Sequence, residues 1–259
     1  MSLLAQVATF FFYILFFGLV LFWPLVSSEE TGRGFHGLVA NVALGGCLTL
    51  MGISIVSWES LASQAYIYLS ISMLGLILFS LRSRDIKIFE LVSFRLGDGD
   101  VVTQDSDRRD WLDWFIYALT ICGFLLWGME AHFYTFTATA YVLSSMFLIG
   151  VTIFMMALGH YYLVVPKLTQ RPLVVGSICL WIFLAIKIAL SSYAMYEHWD
   201  YFVEGSRLGD GFMMNWVFAS MRILWGFVAL GALNYFSLKL AQMRSFQSAT
   251  GVLYTMVFF

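Results

Sequence analysis

Charged residues are scarce in this chain, and their scarcity excludes a soluble domain. Only 12% of the 259 residues are Asp, Glu, Lys or Arg, whereas 61% are hydrophobic. Soluble globular domains average about 25% charged residues. The mean hydropathy of +0.83 points the same way. The composition predicts an integral membrane protein that contacts a lipid bilayer and binds no nucleic acid.

Cysteine and recognisable catalytic motifs are also sparse. The three cysteines, Cys47, Cys122 and Cys179, fall on separate hydrophobic runs without the CxxC or Cys/His spacing of a metal site. We therefore predict neither a bound metal nor a disulfide framework. Walker A, HExxH and GxSxG sequences are absent. These absences leave the question of enzymatic activity open.

Hydrophobic runs dominate what is present. A transmembrane helix needs about 20 apolar residues, and seven runs reach roughly that length. We predict an all-α polytopic membrane protein, a bundle of seven transmembrane helices forming one domain. The predicted spans are residues 3–26, 35–58, 61–81, 111–129, 133–164, 172–197 and 211–240. The apolar stretch 248–259 is too short to span and is predicted to be an interfacial tail or the start of an eighth helix.

Lys and Arg residues are distributed unevenly between the two sets of links. The links after the first, third, fifth and seventh runs contain eleven of them, whereas the opposite side has only Arg207. The positive-inside rule then predicts an external N-terminus in a bacterial inner membrane or its equivalent. The polar segment 82–110 becomes a cytoplasmic loop. Its β-leaning residues and Gly-Asp turn predict a small hairpin, with a continuation of the third helix as the alternative.

Two cations interrupt otherwise apolar runs. Lys187 lies in the sixth run and Arg222 in the seventh. A charge in hydrocarbon is expensive, so a Lys or Arg within a span indicates a functional site. Counted from Glu197 and Phe212 at about 1.5 Å per residue, both lie roughly 15 Å below the same membrane face.

Like charges at one depth on neighbouring helices repel each other unless an anion lies between them. We predict an anion-binding site at Lys187 and Arg222, where the anion is a bound ligand, a haem propionate or the Glu130 carboxylate. The alternative is that each cation pairs separately with backbone carbonyls or extends toward the membrane surface.

A haem b with two histidine ligands needs one histidine from each of two helices, at the same depth in the membrane. His36 with His160 meets that condition near the predicted cytoplasmic face, and His132 with His198 meets it near the outer face. His160 with Asp113 is a candidate site for a quinone head group or a proton. Such pairs arise easily among seven helices, so structural polar contacts are the alternative for all of them.

Small residues form stripes on two predicted helices. Stripes of this kind indicate close helix packing in membranes. The stripe on the second helix is Gly37, Asn41, Gly45 and Gly52, and that on the fifth is Ala138, Ser145, Thr152 and Gly159.

These observations favour one function and leave two alternatives open. The favoured hypothesis is a membrane subunit of a larger energy-converting, electron-transfer complex that handles quinone or haem or scaffolds other membrane subunits. The first alternative is a transporter or channel for a small anion that uses Lys187 and Arg222. The second is a structural or assembly subunit.

Overall fold

The computed structural model describes residues 3–26, 33–56, 63–85, 107–132, 136–165, 169–197, 199 and 212–258. Within these residues the chain forms eight long helices and no strands. Seven of the helices are α1 Leu3–Leu21, α2 Arg33–Val56, α3 Ser63–Asp85, α4 Asp107–His132, α5 Phe136–Val164, α6 Arg171–Glu197 and α8 Phe246–Met256. The remaining helix, α7, runs through Phe212–Met221, a π-helical segment Arg222–Ala229, and Leu230–Gln242.

Five helical stretches are long and apolar enough to cross a membrane. They are Ala8–Leu25, Gly34–Ile53, Thr139–Val164, Arg171–Glu197 and Trp216–Gln242. Helices α3 and α4 contribute shorter apolar stretches, Tyr66–Leu81 and Leu112–Gly128. The prediction of an all-helical membrane protein is therefore confirmed.

The helices associate as two neighbouring groups joined through α1. Helix α3 packs against α2 and α4, and α1 packs against α2. On the other side, α5 packs against α6 and α8, and α7 packs against α6 and α8. Helix α1 also packs along α5, and this contact joins the two groups. Short links join α2 to α3, α5 to α6 and α7 to α8, and the two helices of each of these pairs pack together.

The contact between α1 and α5 requires glycine on both helices. A Cβ atom at Gly18 would lie 2.7 Å from the Cα of Gly150, and one at Gly150 would collide with the backbone of Gly18 in turn. Small residues allow two helix backbones to approach this closely. The interior beside this crossing is aromatic, with Tyr13, Phe17 and Trp127 fully buried.

The predicted packing stripe on α2 was wrong at Gly45 and Gly52, whereas its member Asn41 accepts a hydrogen bond from Ser80 of α3 at 3.0 Å. A Cβ atom added at Gly45 or Gly52 would meet no atom of a neighbouring helix within 4 Å. The packed face instead contains Gly46, where the ring of Phe16 lies against the backbone. A stripe of small residues marks where helices can approach, but the partner's bulky side chains decide which face is used.

Helix α8 folds back from α7 through a tight corner. The Ser245 amide donates to Leu240 O at 2.9 Å, and the Arg244 amide donates to Ala241 O at 3.0 Å. This is the Schellman arrangement that ends many helices. Arg244 occupies its left-handed position with a φ of 57°. The predicted tail at 248–259 is therefore mostly a helix that packs on α5.

The polar segment 82–110 is described only at its ends. Residues 82–85 continue α3, and residues 107–110 begin α4. The predicted hairpin falls on residues 86–106, which lie outside the described part of the chain.

The first half of α7 makes little contact with the other described helices. Every side chain from Trp216 to Trp225 except Ala219 is exposed, including those on all faces of the helix. Its second half packs closely, and Leu230, Asn234 and Ser237 are buried. Over its first half, α7 therefore diverges from the other described helices.

Candidate anion-binding site

Lys187 is buried at the contact between α6 and α5. Its side chain is only 5% exposed. The ammonium donates to Tyr141 O at 3.0 Å, Ser144 Oγ at 3.3 Å and Ser145 Oγ at 2.6 Å. An ammonium has three N–H donors, so α5 supplies one acceptor for each of them. These hydrogen bonds offset part of the free energy needed to bury the charge.

The second cation, Arg222, lies over the same tyrosine ring as Lys187, that of Tyr141. Lys187 Nζ lies 3.4 Å from the ring centre, and Arg222 Cζ lies 5.1 Å from it. Both distances fall within the range of a cation–π contact, about 6 Å. The two charged groups are therefore no further apart than the sum of these distances. The matching depth expected from the sequence corresponds to a real proximity of the two side chains.

The two cations differ in whether their N–H donors are available to a ligand. The donors of Lys187 are directed to α5, as described above. Arg222 is exposed and makes no hydrogen bond with any residue that the structure describes. A guanidinium has five N–H donors in a planar fork that matches carboxylate and phosphate oxygens. Arg222 is thus the group able to bind an anion directly, while Lys187 adds positive potential beside it.

Both cations line one cavity between α5, α7 and α8. Its volume is about 440 Å³, within the roughly 300–1,000 Å³ typical of small-molecule sites. The wall residues from α5 are Ser145, Leu148, Ile149, Thr152 and Ile153. The other wall residues are Lys187, Met221, Arg222, Trp225, Gly226, Phe227, Leu230, Met256 and Val257.

The cavity is charged at one end and apolar at the other. Lys187 and its partner Ser145 mark the charged end, together with Arg222. Ile153, one of the walls farther along α5, marks the apolar end. The Thr152 hydroxyl between them donates to Leu148 O in its own helix at 2.8 Å. No described lining residue carries a negative charge.

The π-helical segment of α7 forms one wall of this cavity. Arg222 begins the segment, and Trp225, Gly226 and Phe227 line the cavity from within it. π-helical turns are rare and often occur at functional sites. The wider turn changes which side chains of α7 face α5. This segment could not be predicted from the sequence, because apolar composition suits α- and π-helix equally.

His36 and His160 have separate partners. His36 is fully buried, and Trp23 Nε1 donates to its Nδ1 at 2.7 Å. His160 is exposed on α5 and is hydrogen-bonded to Tyr254 of α8 at 2.9 Å. These hydrogen bonds do not join His36 to His160.

Asp113 and His160 are likewise not joined in the structure. Asp113 is fully buried on α4, whereas the hydrogen-bond partner of His160 is Tyr254. Three other predicted site residues are not described. The side chains of Glu130 and His132, and the whole of His198, lie outside the described part of the chain.

Sequence reasoning missed Tyr141 and Ser144. Ser145 appeared only as a packing residue, although it makes the shortest hydrogen bond to Lys187. One signal was available, since Tyr141, Ser144 and Ser145 are polar and share a face of an otherwise apolar helix. Comparison with known proteins adds no further guide, because the chain matches no protein-family model, no curated protein and no solved structure.

Proposed function

We propose that this chain is a seven-span membrane protein that binds an anion within the membrane, at the cavity between α5, α7 and α8. The observation that carries the proposal is Arg222, which lines this cavity beside the buried Lys187 and has no hydrogen-bond partner among the described residues. Transport or conduction of the anion extends this function, since the site lies within the span rather than at a membrane surface.

Electrostatics support the choice of an anion. Two positive groups share a cavity with apolar walls, and no described lining residue is acidic. Coulomb interactions are stronger in such low-dielectric surroundings than in water. An anion beside Arg222 would relieve the repulsion between the two cations and would satisfy guanidinium donors.

Seven spans and an external N-terminus are part of the same proposal. Helices α3 and α4 pack closely on each other and carry apolar stretches of sixteen and seventeen residues, Tyr66–Leu81 and Leu112–Gly128. If these two helices are counted as spans together with the five longer ones, almost all Lys and Arg residues of the links lie on the same side of the membrane. Reporter fusions within 86–106 and within 200–210 test this arrangement, which requires cytoplasmic and external signals respectively.

The test of anion binding uses the full chain purified in detergent. Inorganic phosphate and sulfate should raise the thermal unfolding temperature, because a ligand that binds only the folded state stabilises it. The variant Arg222→Gln should abolish this shift. The control is Lys239→Gln, which removes another exposed cation of α7 that lies over a tyrosine ring but outside the cavity. A shift that survives Arg222→Gln would contradict the proposal.

A second candidate is the function favoured by the sequence, a membrane subunit of an energy-converting complex that handles quinone. The observation in its favour is the exposed pair of His160 and Tyr254, hydrogen-bonded at 2.9 Å on an apolar surface of α5 and α8. Imidazole and phenol groups can hydrogen-bond to quinone carbonyl oxygens. Quinone extracted from the wild-type chain but not from His160→Ala would support this candidate, and an absorption spectrum without a Soret band would exclude bound haem.

A further inference from the structure

The shape of the cavity points beyond a small anion. From Ser145 to Ile153 on α5, the wall continues for about 12 Å away from the cations, at 1.5 Å per α-helical residue, and residues from Arg222 to Leu230 of α7 line the facing side. Along this length the side chains are almost entirely apolar. A phosphate or sulfate ion bound at Arg222 would occupy only the charged end.

We infer that the ligand is a single-chain anionic amphiphile, whose carboxylate or phosphate head lies at Arg222 and Lys187 and whose acyl or alkyl chain fills the apolar end. The inference rests on the proposed anion site and names the chemical class of its ligand. Apolar walls with a few convergent polar groups are typical of sites that orient such molecules.

The depth of the cations separates this ligand from ordinary surrounding lipid. Arg222 lies six residues, or about 9 Å, into the candidate span Trp216–Gln242. An annular phospholipid keeps its head group at the membrane surface and would have to move it inward by about this distance to contact the Cα position of Arg222. The occupant is therefore a molecule drawn into the protein, held by its head group within the hydrocarbon layer.

The exposed half of α7 provides a path from the bilayer. Met221, Arg222 and Trp225 line the cavity, yet each is exposed on a helix segment that diverges from the other described helices. A chain lying in the membrane can pass beside α7 without crossing the aromatic core. The amphiphile thus reaches the site laterally rather than from the aqueous phase.

Native mass spectrometry of the full chain, released from delipidated detergent micelles, tests the inference. The probes are dodecyl phosphate, inorganic phosphate and dodecyltrimethylammonium at equal concentrations. We expect one bound dodecyl phosphate per chain, with inorganic phosphate bound at least roughly tenfold more weakly and the cationic amphiphile not retained. Equal retention of the cationic amphiphile would overturn the inference, because it would show an apolar cavity without charge selection.

Two substitutions examine the two ends of the site separately. Arg222→Gln should remove dodecyl phosphate binding, and Arg222→Lys should restore part of it. Val257→Trp places a larger side chain in the cavity wall and should weaken dodecyl phosphate binding more than it weakens inorganic phosphate binding. The matched control is Phe258→Trp, at a neighbouring residue that is 88% exposed and does not line the cavity.

The outcomes distinguish this inference from the proposed anion site. If inorganic phosphate binds as tightly as dodecyl phosphate, and Val257→Trp changes neither, the anion site stands and the amphiphile is excluded. If Arg222→Gln changes the binding of neither probe, both proposals fail. Size-exclusion elution at the wild-type volume is required of each variant, so that loss of binding is not loss of folding.

Discussion

The ammonium of Lys187 lies 3.4 Å from the centre of the Tyr141 ring and donates a hydrogen bond to the backbone oxygen of the same residue at 3.0 Å. Tyr141 of α5 thus contacts the buried ammonium of α6 through both its ring and its backbone oxygen. Arg222 approaches the same ring from α7 at 5.1 Å. The contact of three helices at one aromatic ring sets the geometry of the cavity.

Removing the Tyr141 ring should weaken the contact of the three helices. Tyr141→Leu loses both cation–π contacts and is expected to lower the free energy of unfolding by about 1–2 kcal/mol. Tyr141→Phe keeps the ring and loses only the long 3.4 Å contact with Ser191, so it should remain close to wild type. Unfolding of both variants by denaturant in mixed micelles gives the comparison. Equal losses in the two variants would show that the hydroxyl, and not the ring, holds the helices together.

Lys187 should matter more for binding than for stability. In Lys187→Met the Ser144 and Ser145 hydroxyls keep their bonds to Tyr141 O, at 2.8 and 3.0 Å, so no serine donor is left unpaired. The substitution removes the free-energy cost of burying a charge, and even buried ion pairs that are replaced by apolar side chains of similar volume often leave the protein as stable, or more stable by about 1–4 kcal/mol. We expect unchanged or raised stability together with weaker phosphate binding. A variant less stable by more than about 3 kcal/mol would instead identify Lys187 as a structural link between α5 and α6.

The crossing of α1 and α5 should not tolerate a larger side chain. Gly150→Leu forces the two backbones apart at Gly18 and is expected to lower the free energy of unfolding by at least about 1–3 kcal/mol. Gly52→Leu is the matched control, since a Cβ atom at this position meets no atom of the neighbouring helices within 4 Å. Thermal unfolding of the two variants, each purified in the same detergent, measures the difference. Comparable destabilisation at both glycines would place the close contact elsewhere.

Replacing Arg244 by glycine should stabilise the corner between α7 and α8. Arg244 has a φ of 57°, and a left-handed backbone costs a residue with a Cβ atom about 1–2 kcal/mol. Arg244→Gly should therefore raise the free energy of unfolding by roughly 1 kcal/mol. Lys239→Gly, within the last turn of the same helix, should lower it by about 1 kcal/mol. The prediction fails if both substitutions change stability in the same direction.

The sequence alone determined the class of this protein and the positions of its helices. Sustained apolar runs exclude a soluble fold, because an apolar surface of that length is stable only in lipid. The boundaries of α5 and α6 agree with the predicted spans to within a few residues, since Pro172 and the polar links restrict where helices begin and end. That Lys187 and Arg222 lie close together was also expected from counting residues, because the rise per residue of an α-helix is fixed, and both cations lie over the Tyr141 ring.

Only the tertiary structure decided which faces meet. The stripe of Gly45 and Gly52 on α2 looked suited to close packing, yet Gly46 makes the contact because Phe16 lies against it. Periodicity gives the relative orientation of side chains on one helix but not the rotation of that helix against its neighbours. For the same reason, Tyr141 and Ser145 became the partners of Lys187 only once α5 and α6 were packed together. The π-helical wall that begins at Arg222 is likewise a property of the folded helix, because it depends on backbone hydrogen bonds rather than on composition.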